Sequence, residues 1–209
     1  MARKADINRI LLTAAMLALF AMIGTGLVAM TYTGTRERVS ANERATLLKR
    51  LNTLLPAGSF DNDIVRDTLQ VRDPDLLGTK QPVTAYRARQ QGRPTVVILT
   101  PVAPDGYSGD IRLLVGIRYD GTLTGVRVLE HHETPGLGDA IEEERSDWIT
   151  RFTGHSLSNP AVSGWKVQRD GGDFDQFTGA TITPRAVVGA VHKCLLYFAQ
   201  HCAELFAPM

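Results

Sequence analysis

The chain has 209 residues, 44% of them hydrophobic, and its 23 Lys and Arg against 22 Asp and Glu leave a net charge of +1. That length suits one domain with additions, and the apolar content is that of a chain able to build a core. Near-neutral charge, with no long basic run outside the extreme N-terminus, gives no electrostatic footprint for a nucleic-acid partner.

Ile10 to Met30, "ILLTAAMLALFAMIGTGLVAM", carries no charge. As a helix it spans roughly 30 Å, the thickness of a bilayer's hydrocarbon core. Arg3, Lys4 and Arg9 precede it. The positive-inside rule therefore expects residues 1–9 in the cytoplasm, residues 10–30 as a single uncleaved transmembrane helix, and the rest across the membrane. A cleaved signal peptide would have a shorter apolar core and a small-residue cleavage site, which "GLVAMTYTG" matches poorly.

Ser40 and Glu43 have capping-box spacing, and Leu47, Leu48, Leu51, Leu54 and Leu55 follow at helical intervals until Pro56 and Gly58. The frequent outcome for such a stripe is a helix packed on its own domain. Contact with a partner or a continuation of the anchor is the alternative. Residues 31–80 are expected as this helical stalk plus a polar connecting segment, with the folded domain over 81–209. "TAYRARQ" from Thr84 alternates as a strand, and "TVVILTPVA" from Thr95 fits a buried one. "IRLLVGIRY" and "TLTGVRVLEH" flank Asp120-Gly121, a strong hairpin signal. "AIEEERSDWITRF" from Ala140 suggests a surface helix with Trp148 in the core, "GWKVQR" from Gly164 a short strand, and Pro184 to Phe206 a final helix. Together these predict an α+β fold, a mostly antiparallel sheet flanked by helices, behind one transmembrane helix.

The only cysteines, Cys194 and Cys202, fall on that last helix. Eight helical residues separate their Cα atoms by about 12 Å, beyond disulfide reach. "HHETPGLGD", His131 to Asp139, puts two histidines beside a glutamate, but Gly136 stands where H-E-x-x-H needs its second His. A metal site is not expected. Pro135-Gly136 and Gly138 mark a tight loop that a flat ligand could approach closely.

"DQFTGATITPRAVVGAV", Asp175 to Val191, crowds Thr178, Thr181 and Thr183 around Gly179. Thr183 before Pro184 reads as N-cap and first helical residue. Thr181 then sits beside a helix N-terminus, where unpaired N–H groups and the helix dipole favour a phosphate. By turn chemistry alone, a plain capped turn is the favoured reading of the stretch.

"FTGATITP" resembles the flavinylation motif of the FMN-binding domain family, with Asp175, Thr178, Gly179, Ala180, Thr181 and Thr183 matching in order. "ETPGLG" resembles that family's second signature. The resemblance covers roughly Thr84 to Phe206 plus the anchor. It implies FMN held by a phosphoester to Thr181, with Thr178, Gly179, Ala180, Thr183, Glu133, Thr134, Leu137 and Gly138 around the flavin. Trp165 and Lys166 are weaker candidates for contact. Within the family the wording is most similar to the G subunits of Rnf (also called Rsx) complexes. The C subunits of sodium-translocating NADH:quinone reductases, and an unflavinylated periplasmic adaptor, are the alternatives. The resemblance implies an electron carrier in an ion-translocating inner-membrane complex, with membrane subunits and a flavin transferase as partners. No catalytic triad, metal site or G-x-G-x-x-G for NAD stands beside the motifs.

Overall fold

In a computed structural model, residues 2–207 are described. They form two compact units, Met1–Leu47 and Leu48–Met209. The first is helical from Ala2 onward. It is the bulk of helix α1, Ala2–Asn52, whose Leu11–Tyr32 stretch has a mean hydropathy of 2.2 and is fully exposed. This is one helix long and apolar enough to cross a membrane. The helix with the leucine stripe is not separate: α1 runs unbroken through Ser40. Its end also serves the domain, because Leu51, with Leu54 and Leu55 just after the helix, is buried in the second unit.

That unit starts at Leu48 rather than at residue 81. The polar segment 61–80 contains strand β1, Thr68–Val71, and a one-turn helix α2, Pro74–Leu77, capped by the Asp73 carboxylate on the N–H groups of Asp75 and Leu76. The remaining strands are β2, Val83–Gln90; β3, Arg93–Leu99; β4, Val102–Gly106; β5, Gly109–Arg118; and β6, Leu123–Glu130. All pairings are antiparallel. β5 is the hub: one edge pairs β3 along its C-terminal half and β4 along its N-terminal half, while the other edge pairs β6. The run from Thr95 is thus two strands broken at Thr100-Pro101, where proline cannot donate to the ladder. The Asp120-Gly121 hairpin joins β5 to β6 as expected, with Gly121 at φ 85°.

Alternation sorts the side chains. Val97, Leu99, Leu113, Val115 and Ile117 join the main core, which helix α3, Ile182–Leu205, covers with Val187, Val188, Val191, Leu195 and Phe198. Val96, Ile98 and Leu114 point to the opposite face, where Leu54 lies over Gly116 and Gly125. Cys194 is buried on α3, its thiol pKa pushed up by desolvation; both cysteines are free.

Two expected elements are absent from the described residues. Residues 140–152 form two short 3-10 turns, Gly138–Ile141 and Trp148–Phe152, not one surface helix. Ser146 is the reason: its Oγ donates to the Ala140 carbonyl at 2.6 Å and accepts the Trp148 N–H at 3.2 Å, taking groups a helix would need. The segment from Gly164 is likewise 3-10 turns, with a single bridge between Val167 and Phe174. These turns still deliver aromatic cover, because Trp148, Phe152, Trp165 and Phe174 are all buried in the main core.

Candidate functional site

Three segments converge at one end of the sheet. The first is the β4–β5 turn. Gly106 pairs with Gly109, leaving Tyr107 and Ser108 at the tip, and Tyr107 is 69% exposed. The second is the loop after β6, where the Leu137 N–H returns to the Thr134 carbonyl at 3.1 Å. Pro135 and Gly136, the latter at φ 78°, occupy the centre of that turn, the arrangement a type II turn requires. The third is the approach to α3: the Ala180 N–H bonds the Phe177 carbonyl, and Gly179 sits at φ 79°.

Between them lies an open cleft of about 380 Å³. It is lined by Glu133, Thr134, Leu137, Gly138, Gly179, Ala180, Thr181 and Thr183, eight of the nine residues singled out from the two motifs, joined by Tyr107 and Ile182. Thr178 is exposed and is not part of the lining. Trp165 is not at the cleft either. It is buried in the core, stacked on His192 at 5.5 Å, while Lys166 points to solvent. Sequence reasoning missed Tyr107 and Ile182. An aromatic between two glycines, "GYSG", flanked by strand-like runs, was the available signal for the first.

The threonines differ sharply. α3 begins two residues before the expected position, so Thr181, not Thr183, is its N-cap residue. Pro184 becomes the third helical residue, where its missing N–H is still one the helix cannot use. The Thr181 hydroxyl makes no capping bond, and its side chain is half-buried at the cleft wall. Thr183 has no exposed surface. Its hydroxyl donates to Glu133 Oε2 at 2.6 Å. The other Glu133 oxygen accepts the Ser108 N–H at 3.0 Å, and the Glu133 N–H is taken by His131 Nδ1 at 3.0 Å. His131 Nε2 reaches Glu142 at 3.0 Å. The adjacent histidines are therefore not a paired site: His131 braces the glutamate, and His132 is exposed.

The cleft fits FMN in its chemistry. Its volume lies in the range of small-molecule sites, about 300–1,000 Å³. Tyr107, Leu137 and Ile182 give an exposed apolar rim suited to a flat ring. The first turn of the 24-residue α3 supplies N–H groups and a positive dipole end suited to a phosphate. A Cβ added at Gly179 would meet only the end of the Leu137 side chain, at 3.7 Å, so the space beside this backbone is open to a ligand.

Fold and cleft together define an FMN-binding domain, and the model of that family matches residues 106–196; a second model, the RnfG N-terminal region, matches residues 1–54. The chain is 51% identical, over 93% of its length and 91% of the relative's, to the G subunit of the ion-translocating oxidoreductase complex of Pseudomonas aeruginosa. For the protein of the same name from Vibrio cholerae the identity is 49%, over 90% of each chain. For that of Shewanella oneidensis it is 46%, over 92% of this chain and 91% of the relative. The chain belongs to this family, the G subunits of ion-translocating oxidoreductase complexes. With one apolar span among the described residues, that membership describes a membrane-associated protein.

Proposed function

We propose that this protein is an electron-carrying subunit of an ion-translocating oxidoreductase complex and that it carries FMN covalently, through a phosphoester to Thr181. The observation that carries the attachment point is the unequal state of three nearby hydroxyls. Thr178 is outside the cleft, Thr183 is buried and donates to Glu133, and Thr181 is in the cleft wall with its hydroxyl making no capping bond. FMN, when attached, supplies one- and two-electron redox chemistry. The chain's own part is placement: Thr181 tethers, the first turn of α3 receives phosphate charge, and Tyr107, Leu137 and Ile182 cover apolar surface.

In this reading Leu11–Tyr32 anchors the chain in the inner membrane with residues 1–9 in the cytoplasm, and Leu48–Met209 works on the periplasmic side beside the other membrane subunits. A separate flavin transferase makes the ester, since the cleft residues around Thr181 include no acid–base pair suited to the step. All three relatives described above are G subunits, which favours this reading over a C subunit of a sodium-translocating NADH:quinone reductase. The test is direct. The chain purified from membranes of a host with the transferase should fluoresce in a denaturing gel and weigh one FMN less one water more than its sequence. Thr181→Ala should remove both signals and leave a folded domain. Flavin retained on Thr181→Ala, or absent from the parent chain, would refute the assignment.

A further inference from the structure

Glu133 is 5% exposed, and its carboxylate is bonded to a backbone N–H and a hydroxyl. Its two oxygens are divided between different elements, the Ser108 N–H in the β4–β5 turn and the Thr183 hydroxyl in the first turn of α3. The carboxylate also fills the space beside two glycines. A Cβ on Gly138 would lie 2.6 Å from Oε2 and 2.9 Å from the Thr183 oxygen, and one on Gly106 would lie 2.9 Å from Oε1. All three cleft walls therefore close on this one side chain.

We propose that Glu133 is the positioning residue that decides which threonine is flavinylated, by withholding the Thr183 hydroxyl and leaving Thr181 as the acceptor. This rests on FMN attachment at Thr181. Attachment is a phosphoryl transfer. The threonine oxygen bonds to the FMN phosphorus, the phosphoanhydride of a flavin dinucleotide breaks, the second nucleotide departs as its monophosphate, the hydroxyl proton passes to a base of the transferase, and no electrons move. Such a step needs an oxygen that phosphorus can reach. Thr183 lines the cleft but has no exposed surface, and its proton is committed at 2.6 Å. It lies only two positions beyond Thr181 in the first turn of α3, so its concealment depends on the glutamate and not on distance along the chain.

The experiment places Glu133 variants on a Thr181→Ala background in the full-length chain, co-expressed with the transferase. Fragment-ion mapping of the peptide carrying Thr178 to Thr183 reads the result. Thr181→Ala alone should be flavin-free. Thr181→Ala/Glu133→Ala should gain the FMN mass on Thr183. Thr181→Ala/Glu133→Gln should stay flavin-free, because the amide oxygen still accepts the Thr183 hydroxyl. Glu133→Asp, a methylene too short to reach that hydroxyl, gives the same expectation as alanine and serves if the alanine variant does not fold. A folded Glu133→Ala or Glu133→Asp double variant without flavin, or flavin already on Thr183 in Thr181→Ala, would overturn the proposal. A parent chain lacking covalent FMN would instead overturn the attachment itself. A merely structural glutamate would shift melting temperatures across this series and leave the mapped position unchanged.

Discussion

The indole Nε1 of Trp148 donates a 2.8 Å hydrogen bond to the main-chain carbonyl of Asp175. This ties the aromatic part of the core to the first residue of the threonine-rich loop. Trp148 is 4% exposed and packs edge-on against Phe152 and Phe177. The Asp175 carboxylate pairs with Arg151, from the same 3-10 turn as Trp148. One short turn thus holds the loop by its backbone and by its side chain.

Trp148→Phe separates packing from that hydrogen bond. It retains an aromatic ring but removes the N–H, leaving the Asp175 carbonyl without its donor. The expected loss is about 1–3 kcal/mol of stability, read from urea unfolding of the full-length chain in detergent. Arg151→Ala breaks a half-exposed pair and should cost less, about 1 kcal/mol or under. Equal losses would mean that the backbone bond is not what holds the loop.

Gly138 and Gly136 make a paired test of the loop after β6. Alanine at Gly138 meets the Glu133 carboxylate and the Thr183 hydroxyl at under 3 Å, so it should cost about 1–3 kcal/mol through overpacking and disturb the bond between them. Gly136 has open space, but its φ of 78° disfavours any side chain, so Gly136→Ala should cost roughly 1–2 kcal/mol through strain. Both lower the melting temperature. Only Gly138→Ala should also free the Thr183 hydroxyl, read by fragment-ion mapping as FMN on Thr183 in a Thr181→Ala background.

Asp67 is 5% exposed and accepts from Arg87 Nε at 2.6 Å and from Arg89 Nε at 3.0 Å. Both guanidinium groups reach on to the Ala207 carbonyl, so this cluster holds the end of the chain after α3. Asp67→Ala leaves the buried Arg87 charge without its partner and should cost about 3–5 kcal/mol. Chemical denaturation checks the magnitude, and proteolysis near residue 207 checks whether the tail is released.

How much of this was legible in the sequence depended on the range of the interaction. The Asp120-Gly121 hairpin and the apolar face of α3 are local signals, and both are where periodicity and turn chemistry put them. The start of α3 is not local. Thr183 followed by Pro184 has the form of a cap and a first turn, but the Thr183 hydroxyl is taken by Glu133, fifty residues earlier. Residues 140–152 mislead for a related reason: Trp148 and Phe152 fit a helical spacing and a 3-10 turn equally well, and Ser146 decides between them through its side chain. The two site motifs were legible as words. Their convergence on one carboxylate, and the addition of Tyr107 from the β4–β5 turn, required the fold.

His192 carries the clearest pH dependence. Its ring stacks on Trp165 with planes 14° apart, its Nε2 is buried without a hydrogen-bond partner, and desolvation lowers its pKa below the ordinary 6.5. In the unfolded chain the imidazole protonates as pH falls through about 6.5, whereas in the folded chain it resists until lower pH. Between those two values the unfolded state holds more protons, so stability rises with pH there. The contribution is complete above about 6.5 and is lost as pH falls toward the folded value. His192→Phe keeps an aromatic ring against Trp165 and removes the titration. Its urea midpoint should fall less than the parent's between about pH 7.5 and about pH 5.5, two conditions chosen to bracket the window. Parallel declines would assign the pH dependence to other groups.

Tyr107 and Leu137 test the apolar rim independently of the attachment chemistry. They are 69% and 44% exposed and stand together in the lining of one cleft, an apolar pair that a flat ligand would cover. Neither takes part in the Thr183–Glu133 bond, and the Thr181 hydroxyl lies on a different segment, so Tyr107→Ser and Leu137→Ala should leave the flavin-to-chain ratio near that of the parent. What should change is solvent access to the ring. A flavin resting on these side chains is shielded on that side, and removing either one opens it to a water-soluble quencher such as iodide. Stern–Volmer slopes for flavin fluorescence should therefore rise in both variants, and rise further in the double variant. Thr134→Ala, also in the cleft lining but without an apolar face of comparable size, should move the slope least. Unchanged slopes with full flavin occupancy would mean that the ring lies elsewhere, and that Tyr107 and Leu137 face a different surface.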